Sequence, residues 1–595
     1  MDNQSIKNMV LAGVLSLLIF MGWDWGMKYF YPEANKAPVP AASAPAPSPS
    51  ASASAKPTRE GGLMDAADRA LEEKDLKSAL NPASRVAIAA PGLSGSINLI
   101  GGVVDDLTTN RHTASVAKDS GPQRIFSPAG TPAQQFAQFG WRLPNGAADP
   151  ALPGDATQWT APAGAKLTPQ SPVTLSWTSP VGAVFKLTYA IDADYMITVT
   201  QEVTNASPAP LAAKPYALIA RTDKTASLDT WNVHSGPFGA FDGTVSFNPN
   251  YKDVDKAKQV NNEGKTDWIG FTDIYWMSTL VPDAKQSATS GFRSLGGGLF
   301  RADLIYPDVT VSPGQSTALS TRLFAGAKES SVLDKYEAAG IPKFGLAIDW
   351  GWFRWFEKPI FGLLKWLFAM SGNFGVAIIL LTLIVRGVMF PVAQRQFASM
   401  AAMKAIQPKM KALQERYKDD KAKQQEEIMA LYKKEGVNPL AGCLPIFLQM
   451  PVFFALYKVL MLAVEMRHQP FFGWIHDMSA PDPKPILNLF GYLPFTPPSF
   501  LAIGVLALLL GITMWLQFKL NPAQMDPAQQ QVFAIMPWMM MFIMAPFAAG
   551  LLIYWITSNV LTIAQQKFLY ARHPELKAQA DKDAADFQRA KAREK

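Results

Sequence analysis

Residues 374–393 read FGVAIILLTLIVRGVMFPVA. Phe374 to Val385 is apolar except for Thr382, and Gly387 to Ala393 resumes the run after Arg386. A helix needs about 20 predominantly apolar residues to cross the hydrocarbon core of a bilayer, so this stretch predicts a membrane span with a cation inside it. A charge at that depth costs about 2.5–3.5 kcal/mol on insertion scales and about 10–17 kcal/mol in simulations of lone helices. Arg386 therefore either faces a wet cavity or a partner, which marks a functional site, or snorkels to the nearer interface from the helix end. Position alone leaves these two readings even, because polar Gln394 follows closely.

Working outward, the chain has 595 residues and a mean hydropathy of +0.04, which averages a soluble half with a hydrophobic half. The single cysteine, Cys443, excludes an internal disulfide and leaves no cysteine for acylation behind a signal segment. Residues 1–31 predict a membrane anchor. Lys7 precedes Met9 to Trp23, apolar apart from Ser16, and Trp23, Trp25, Tyr29 and Tyr31 form an aromatic belt. A cleaved signal peptide fits less well, since Ala42-Ser43-Ala44 lies too far past the apolar core. Residues 32–60 predict a tether. Between Ala37 and Pro57 everything but Val39 and Lys56 is Ala, Pro or Ser, a composition that stays extended and could reach roughly 60 Å.

Residues 61–340 predict a β-sandwich domain. Phe185, Leu187 and Tyr189 alternate with Lys186 and Thr188, and Tyr195, Ile197 and Val199 with Met196 and Thr198. Asp192-Ala193-Asp194 lies between as a turn, the pattern of a half-buried hairpin. Val173 to Thr178 and Thr317 to Phe324 are further strands. Catalytic signals are poor. Gly264-Lys265-Thr266 mimics the tail of a phosphate loop, but Gln259 stands where its first glycine belongs. Gly92-Leu93-Ser94-Gly95 resembles an intramembrane protease motif outside any span. His112 and His234 lack metal-ligand spacing. No enzyme, cofactor or metal site is expected.

Residues 341–371 predict an amphipathic interfacial helix: Arg354, Lys358 and Lys365 share a face with Glu357 beside it, and Trp352, Phe353, Phe356, Ile360, Leu363 and Leu367 cover much of the remainder. Five spans then follow within 372–570, at about 374–393, 441–464, 498–518, 532–547 and 550–566. Gln394 to Glu435 carries ten Lys/Arg against six Asp/Glu, whereas Glu465 to Pro497 holds only Arg467 and Lys484. The positive-inside rule makes 394–435 and the basic tail at 571–595 cytoplasmic. With six spans in all, the N-terminus is then inside and the β-domain outside. Phe397, Met400, Met403, Met410, Leu413 and Tyr417, a turn at Asp419-Asp420, and Ile428, Leu431 and Tyr432 give 394–435 the pattern of a helical hairpin kinked at Pro408. Its basic surface is either a solvated face or a dock for anionic partners, and the tail can touch ribosomal RNA by charge alone.

Polar residues recur at matching depths in these spans. Thr382 lies one turn from Arg386, Thr513 one turn from Gln517, and Gln449 precedes Met450-Pro451. Tyr554, Ser558, Thr562 and Gln565 fall within about 80° of one helical face. Such groups serve as packing glue or line a hydrophilic groove, and a stripe beside an intramembrane arginine favours the groove. The methionines at 536, 539, 540, 541 and 544 offer adaptable packing to clients or simply fill lipid-facing space.

Val385-Arg386-Gly387 to Phe390-Pro391, Gln407-Pro408-Lys409, Asn438-Pro439-Leu440, Gly442-Cys443-Leu444-Pro445, Gln449-Met450-Pro451 and Tyr554 to Asn559 together resemble the YidC/Oxa/Alb family of membrane protein insertases. The resemblance is dense from Trp350 to Ala571, and the anchor, tether and β-domain are similar to the family's Gram-negative form. It implies an inner-membrane protein with a five-span core, six spans in all, and a periplasmic all-β supersandwich similar to galactose mutarotases, whose catalytic residues have no counterparts here. It further implies a groove open to cytoplasm and lipid, with Arg386 as its arginine and with Thr382, Met450, Phe453, Tyr554 and Trp555 at contact positions. Gln449, Gln517 and Ser558 join them from the polar pattern. Trp555 and Lys458 depart from the family, which often has tyrosine at both positions, and Lys458 is expected to snorkel outward. Implied partners are nascent membrane proteins, the Sec translocon, membrane lipids and the ribosome, with no DNA. A transporter of small anionic solutes would use such an arginine too, but no internal repeat of spans is present. A tethered sugar-binding protein would instead place its activity in the β-domain.

Overall fold

The computed structural model describes residues 60–572 apart from 64, 118, 229–232, 284, 352–353, 395–405, 407–408, 411, 414, 418–419, 436–443, 494, 496, 498–500 and 521–526. The expected anchor, nearly all of the tether, Pro408 and the tail from 573 onward lie outside the described residues.

Helix α1 (Ala66–Ala79), capped by Asp65, leads into the β-domain. Its described strands run from β1 (Arg85–Ala89) to β19 (Ser316–Ala327) and form an 11-stranded and an 8-stranded sheet. The hairpin read from alternation is β8 (Val184–Ile191) against β9 (Met196–Thr204), with Tyr189 opposite Val199. Phe185, Leu187, Tyr189, Ile197 and Val199 are each 0% exposed, the buried face of a two-residue period. Tyr195 sits outside the strand it was expected to open. Asp192 Oδ1 gathers the Asp194 and Met196 N–H groups (2.8 and 3.1 Å) into the turn, and the Tyr195 N–H goes to Tyr336 Oη (3.2 Å). β7 (Val173–Thr178) is as expected, and β19 extends the Thr317–Phe324 run at both ends.

The sheets meet through apolar side chains and a few polar crossings. Gln135 Nε2 donates to Ser278 Oγ (2.9 Å), and Gln201 Nε2 to the Gly140 carbonyl (2.8 Å). Arg221 and Asp273 make a buried ion pair, and Asp273 Oδ1 also accepts from the Ser227 N–H and from the Ser227 and Ser235 hydroxyls (2.9, 3.1 and 2.8 Å). The sequence motifs set aside above have structural uses. Gly264 turns at φ 81° while Asp242 Oδ1 takes the Lys265 N–H (3.0 Å), so no phosphate cradle forms there. His112 Nε2 bonds Glu329 Oε1 (3.0 Å), and His234 Nε2 donates to the Pro237 carbonyl (2.8 Å).

After α2 (Tyr251–Ala257) and α3 (Ser330–Ala338), the chain turns helical. α4 (Arg354–Ser371) lies within the stretch expected to form an interfacial helix, but its faces are assigned differently. Glu357, Ile360, Phe361, Leu364 and Leu367 face the protein, while Trp355, Trp366 and Met370 are exposed. Lys358 pairs with Asp334 (2.9 Å) and Lys365 lies 3.9 Å from Glu465, so two of the three basic side chains meet carboxylates of this chain. Trp352 and Phe353 lie outside the described residues.

α5 (Phe374–Val388) starts on Asn373, whose Oδ1 accepts from the Gly375 and Val376 N–H groups (2.9 and 3.2 Å). It breaks at Met389, because Pro391 has no N–H to return to Gly387, and residues 390–394 are helical again. α6 (Lys421–Lys434) is the second arm of the hairpin, capped by Asp420. Lys409–Glu435 (2.8 Å) and Tyr432 Oη to Met410 Sδ (3.2 Å) tie it to the first arm. α7 (Leu444–Leu462), α8 (Val505–Leu520), α9 (Pro527–Met544) and α10 (Ala549–Arg572) match the remaining apolar stretches. Among the described residues no helix is long and apolar enough to cross a membrane. α5 and α8 have 15 and 16 residues, about 22 and 24 Å of rise. Gln529 to Gln531 dilute α9, and Gln565 to Lys567 dilute α10. Helix lengths alone therefore do not establish six spans.

Arg467, on the segment after α7, joins the helices to the β-domain. Its Nη1 donates to the Thr113 carbonyl (2.7 Å) and its Nη2 to the Ala114 carbonyl (3.2 Å), and its guanidinium lies over Trp276 at 5.3 Å. Nε and Nη2 also reach Glu60 Oε2 (3.1 and 2.8 Å). Glu465 Oε1 accepts the Ser330 N–H nearby (3.1 Å).

Candidate functional site

Arg386 leaves α5 in its last turn and is half-buried. Its Nε lies 3.2 Å from Ser558 Oγ, and Nη2 donates to the same oxygen. Ser558 is buried on α10. Among the described residues no carboxylate pairs with Arg386, so a guanidinium with five N–H donors is held by one neutral hydroxyl. One helical turn earlier on α10, buried Tyr554 accepts from Gln449 Nε2 of α7. Gln449 Oε1 is buried with no hydrogen-bond partner among the described residues. Asn559 Nδ2 donates to Thr513 Oγ1 of α8 (3.1 Å), and that hydroxyl continues to the Leu510 carbonyl (3.0 Å). α10 is thus bonded through polar side chains to α5, α7 and α8, and Tyr554, Ser558 and Asn559 bring all three contacts to neighbouring turns.

The expected site residues divide. Arg386, Ser558, Tyr554 and Gln449 form this linked group. Phe453 packs edge-on against Trp555, centroids 5.2 Å apart at 66°, which closes α7 on α10 beside it. Met450 stands on α7 at 43% exposure. Thr382 is buried and returns its hydroxyl to the Ile378 carbonyl (2.6 Å), the i−4 bond open to any helical threonine. Gln517 is half-buried on α8, and no described hydrogen bond ties it to Arg386. The methionines split as well, with Met541 and Met544 buried and Met539 exposed.

Lys458 sends its Nζ to the Asp349 carbonyl (3.0 Å), at the seam with the β-domain. Glu357 of α4 is buried nearby and its Oε2 has no hydrogen-bond partner among the described residues. Burial pushes its carboxyl up to about 7, against the pull of Lys458. Asn559 and Glu357 were not singled out by sequence. Asn559 falls just outside the Tyr554–Ser558 stripe, and Glu357 reads as one more charge on an amphipathic surface.

Residues 366–577 match the family described as 60Kd inner membrane protein, and residues 85–363 match the one described as YidC periplasmic domain. A Zymomonas mobilis protein named membrane protein insertase YidC is 42% identical over 576 residues, covering 96% of each chain. A Ruegeria pomeroyi protein of the same name is 41% identical over 596 residues, again covering 96% of each. A crystal structure described as an active YidC insertase with its first transmembrane domain resolved covers 81% of this chain and 92% of its own, at 18% identity and a TM-score of 0.34, too low to carry an argument. The insertase-like motifs around Arg386, the β-domain before them and relatives similar from end to end agree, and the chain belongs to the YidC family of inner-membrane protein insertases.

Proposed function

We propose that this chain inserts nascent inner-membrane proteins through a polar recess at Arg386, Ser558, Tyr554 and Gln449. The observation that carries the reading is the half-buried guanidinium with a single neutral partner among the described residues. Inside a low-dielectric bundle such a cation attracts an acidic or polar flank more strongly than it would in water. A hydrophilic flank of a client lodges there, which shortens the apolar distance it still has to cross. Burial of the client helix in lipid, at about 25 cal/mol per Å² of apolar area, drives release sideways. A membrane potential adds roughly 2.3 kcal/mol per charge per 100 mV for acidic tails moving outward.

The arrangement proposed with it has six spans, the β-domain periplasmic, and the hairpin and both termini cytoplasmic, supported by the charge bias of 394–435. Met450, Phe453 and Trp555 contact the client's apolar side, and Thr382 and Gln517 serve as neighbouring packing positions. The Sec translocon and the ribosome are proposed partners, the second through the hairpin and basic tail. Proteoliposomes containing only this protein should insert a short-tailed client. Failure there, with uptake of a small anionic solute instead, would replace the insertase with a transporter.

A further inference from the structure

Glu60, His468 and Asp477 converge where the end of the tether region meets the segment after α7. One ligand atom from each lies within 4.8 Å of the others. His468 Nε2 is 3.7 Å from Glu60 Oε2 and 3.9 Å from Asp477 Oδ2. Sequence spacing gives no hint of the group, because Glu60 lies on the far side of the β-domain in the chain.

The surroundings orient each donor inward. Thr113 spends its hydroxyl hydrogen on the Ser115 carbonyl (3.0 Å), so its oxygen offers only lone pairs to His468 Nδ1 at 3.4 Å. His468 Nε2, on the opposite edge of the ring, faces two carboxylate oxygens. Asp477 Oδ1 is occupied by the Ser479 N–H and hydroxyl (2.8 and 2.6 Å), which turns Oδ2 toward the histidine. Arg467 holds Glu60 through Oε2, the same oxygen that lies 3.7 Å from His468 Nε2, and no described hydrogen bond reaches Glu60 Oε1. One imidazole and two carboxylates gathered about one point, backed by Thr113, Ser479 and Arg467, have the arrangement of a metal site with its outer shell.

We propose that Glu60, His468 and Asp477 bind one first-row divalent cation, Zn²⁺ or Mn²⁺, and so clip the end of the tether to the periplasmic side of the helical core. One imidazole and two carboxylates suit these ions and leave a position for water. Ligands at about 2.0–2.1 Å in a tetrahedral site stand roughly 3.3 Å apart, so the observed 3.7 and 3.9 Å require a contraction of about half an ångström. The two carboxylates against Arg467 leave the cluster one negative charge before the ion arrives.

The test uses the full chain in detergent, stripped with chelator and titrated with Zn²⁺ against a chromophoric competitor, then with Mn²⁺ by electron paramagnetic resonance. One ion per chain should bind at micromolar or lower Kd. His468→Ala and Asp477→Asn should each weaken binding at least about tenfold, and Thr113→Val should weaken it less, as an outer-shell change. His476→Ala, an exposed neighbour outside the cluster, should leave Kd unchanged. If His468→Ala does not fold, Asp477→Asn and Thr113→Val carry the comparison. No saturable site below about 100 µM, binding that survives both ligand variants, or equal loss with His476→Ala would overturn the proposal.

Discussion

Arg386 was visible in the sequence because the other nineteen residues of 374–393 carry no charge, and an isolated cation in such a run needs a reason. Its partner was not visible. Ser558 lies 172 positions away, and only the packing of α5 on α10 selects it from the polar stripe. Thr382, near the arginine in sequence, bonds its own helix and is not the arginine's hydrogen-bond partner. Arg386→Ala should lower insertion of acidic-tailed clients several-fold in proteoliposomes, while Arg386→Lys keeps the charge and should be milder. Equal loss with both would assign the effect to guanidinium geometry. Ser558→Ala removes a hydrogen bond to a charged group, a loss of about 1.5–3 kcal/mol. It should lower the melting temperature of the solubilised protein, and an unchanged melt would show that Arg386 finds another acceptor.

Elements were legible to the extent that their periodicity was pure. The β8–β9 hairpin could be placed nearly to the residue, since alternation fixes which side chains go inward. α4 could not be oriented the same way. It carries apolar groups on two faces, and the sequence cannot tell which of them meets the protein. The structure buries Glu357 with the inner face, which gives that helix a pH signature. A carboxyl raised in the folded state favours the protonated form, so stability falls as pH climbs from the ordinary carboxylate range to about 7 and stays reduced above it. Glu357→Gln should therefore melt higher than wild type at pH 8, by on the order of 1 kcal/mol, and equally at pH 5. A gain at pH 5 of the same size would deny the titration. In the β-domain, Arg221→Ala leaves Asp273 a buried charge without its counterion and should cost about 3–5 kcal/mol. A thermal melt showing under 1 kcal/mol would mean that the Ser227 and Ser235 donors suffice.

At the scale of the whole molecule, the division into β-domain and helical core was readable from composition alone, but the seam between them was not. It is made by single residues of long sequence separation: Arg467 with Thr113 and Ala114, Glu465 with Ser330, Lys358 with Asp334. Arg467→Ala should speed protease cleavage at the seam in the solubilised protein, and unchanged cleavage would show that the other contacts hold the halves together. Deleting 61–335 should leave client insertion intact, since the polar side chains proposed to line the recess lie wholly on α5, α7 and α10. Loss of insertion with the core still folded would place part of the activity in the β-domain.

The bond from Lys458 to the Asp349 carbonyl gives α7 the properties of a lever. Lys458 lies about 21 Å along the helix from Leu444. A swing of about 5° about that end would carry it sideways by nearly 2 Å, enough to stretch a 3.0 Å bond beyond hydrogen-bonding reach. α7 also carries Gln449 and Phe453, so a client that wedged it away from α10 would pull on the stretch leading into α4. Arrival of cargo inside the bundle would then be felt at the foot of the β-domain without any moving part beyond one pivoting helix.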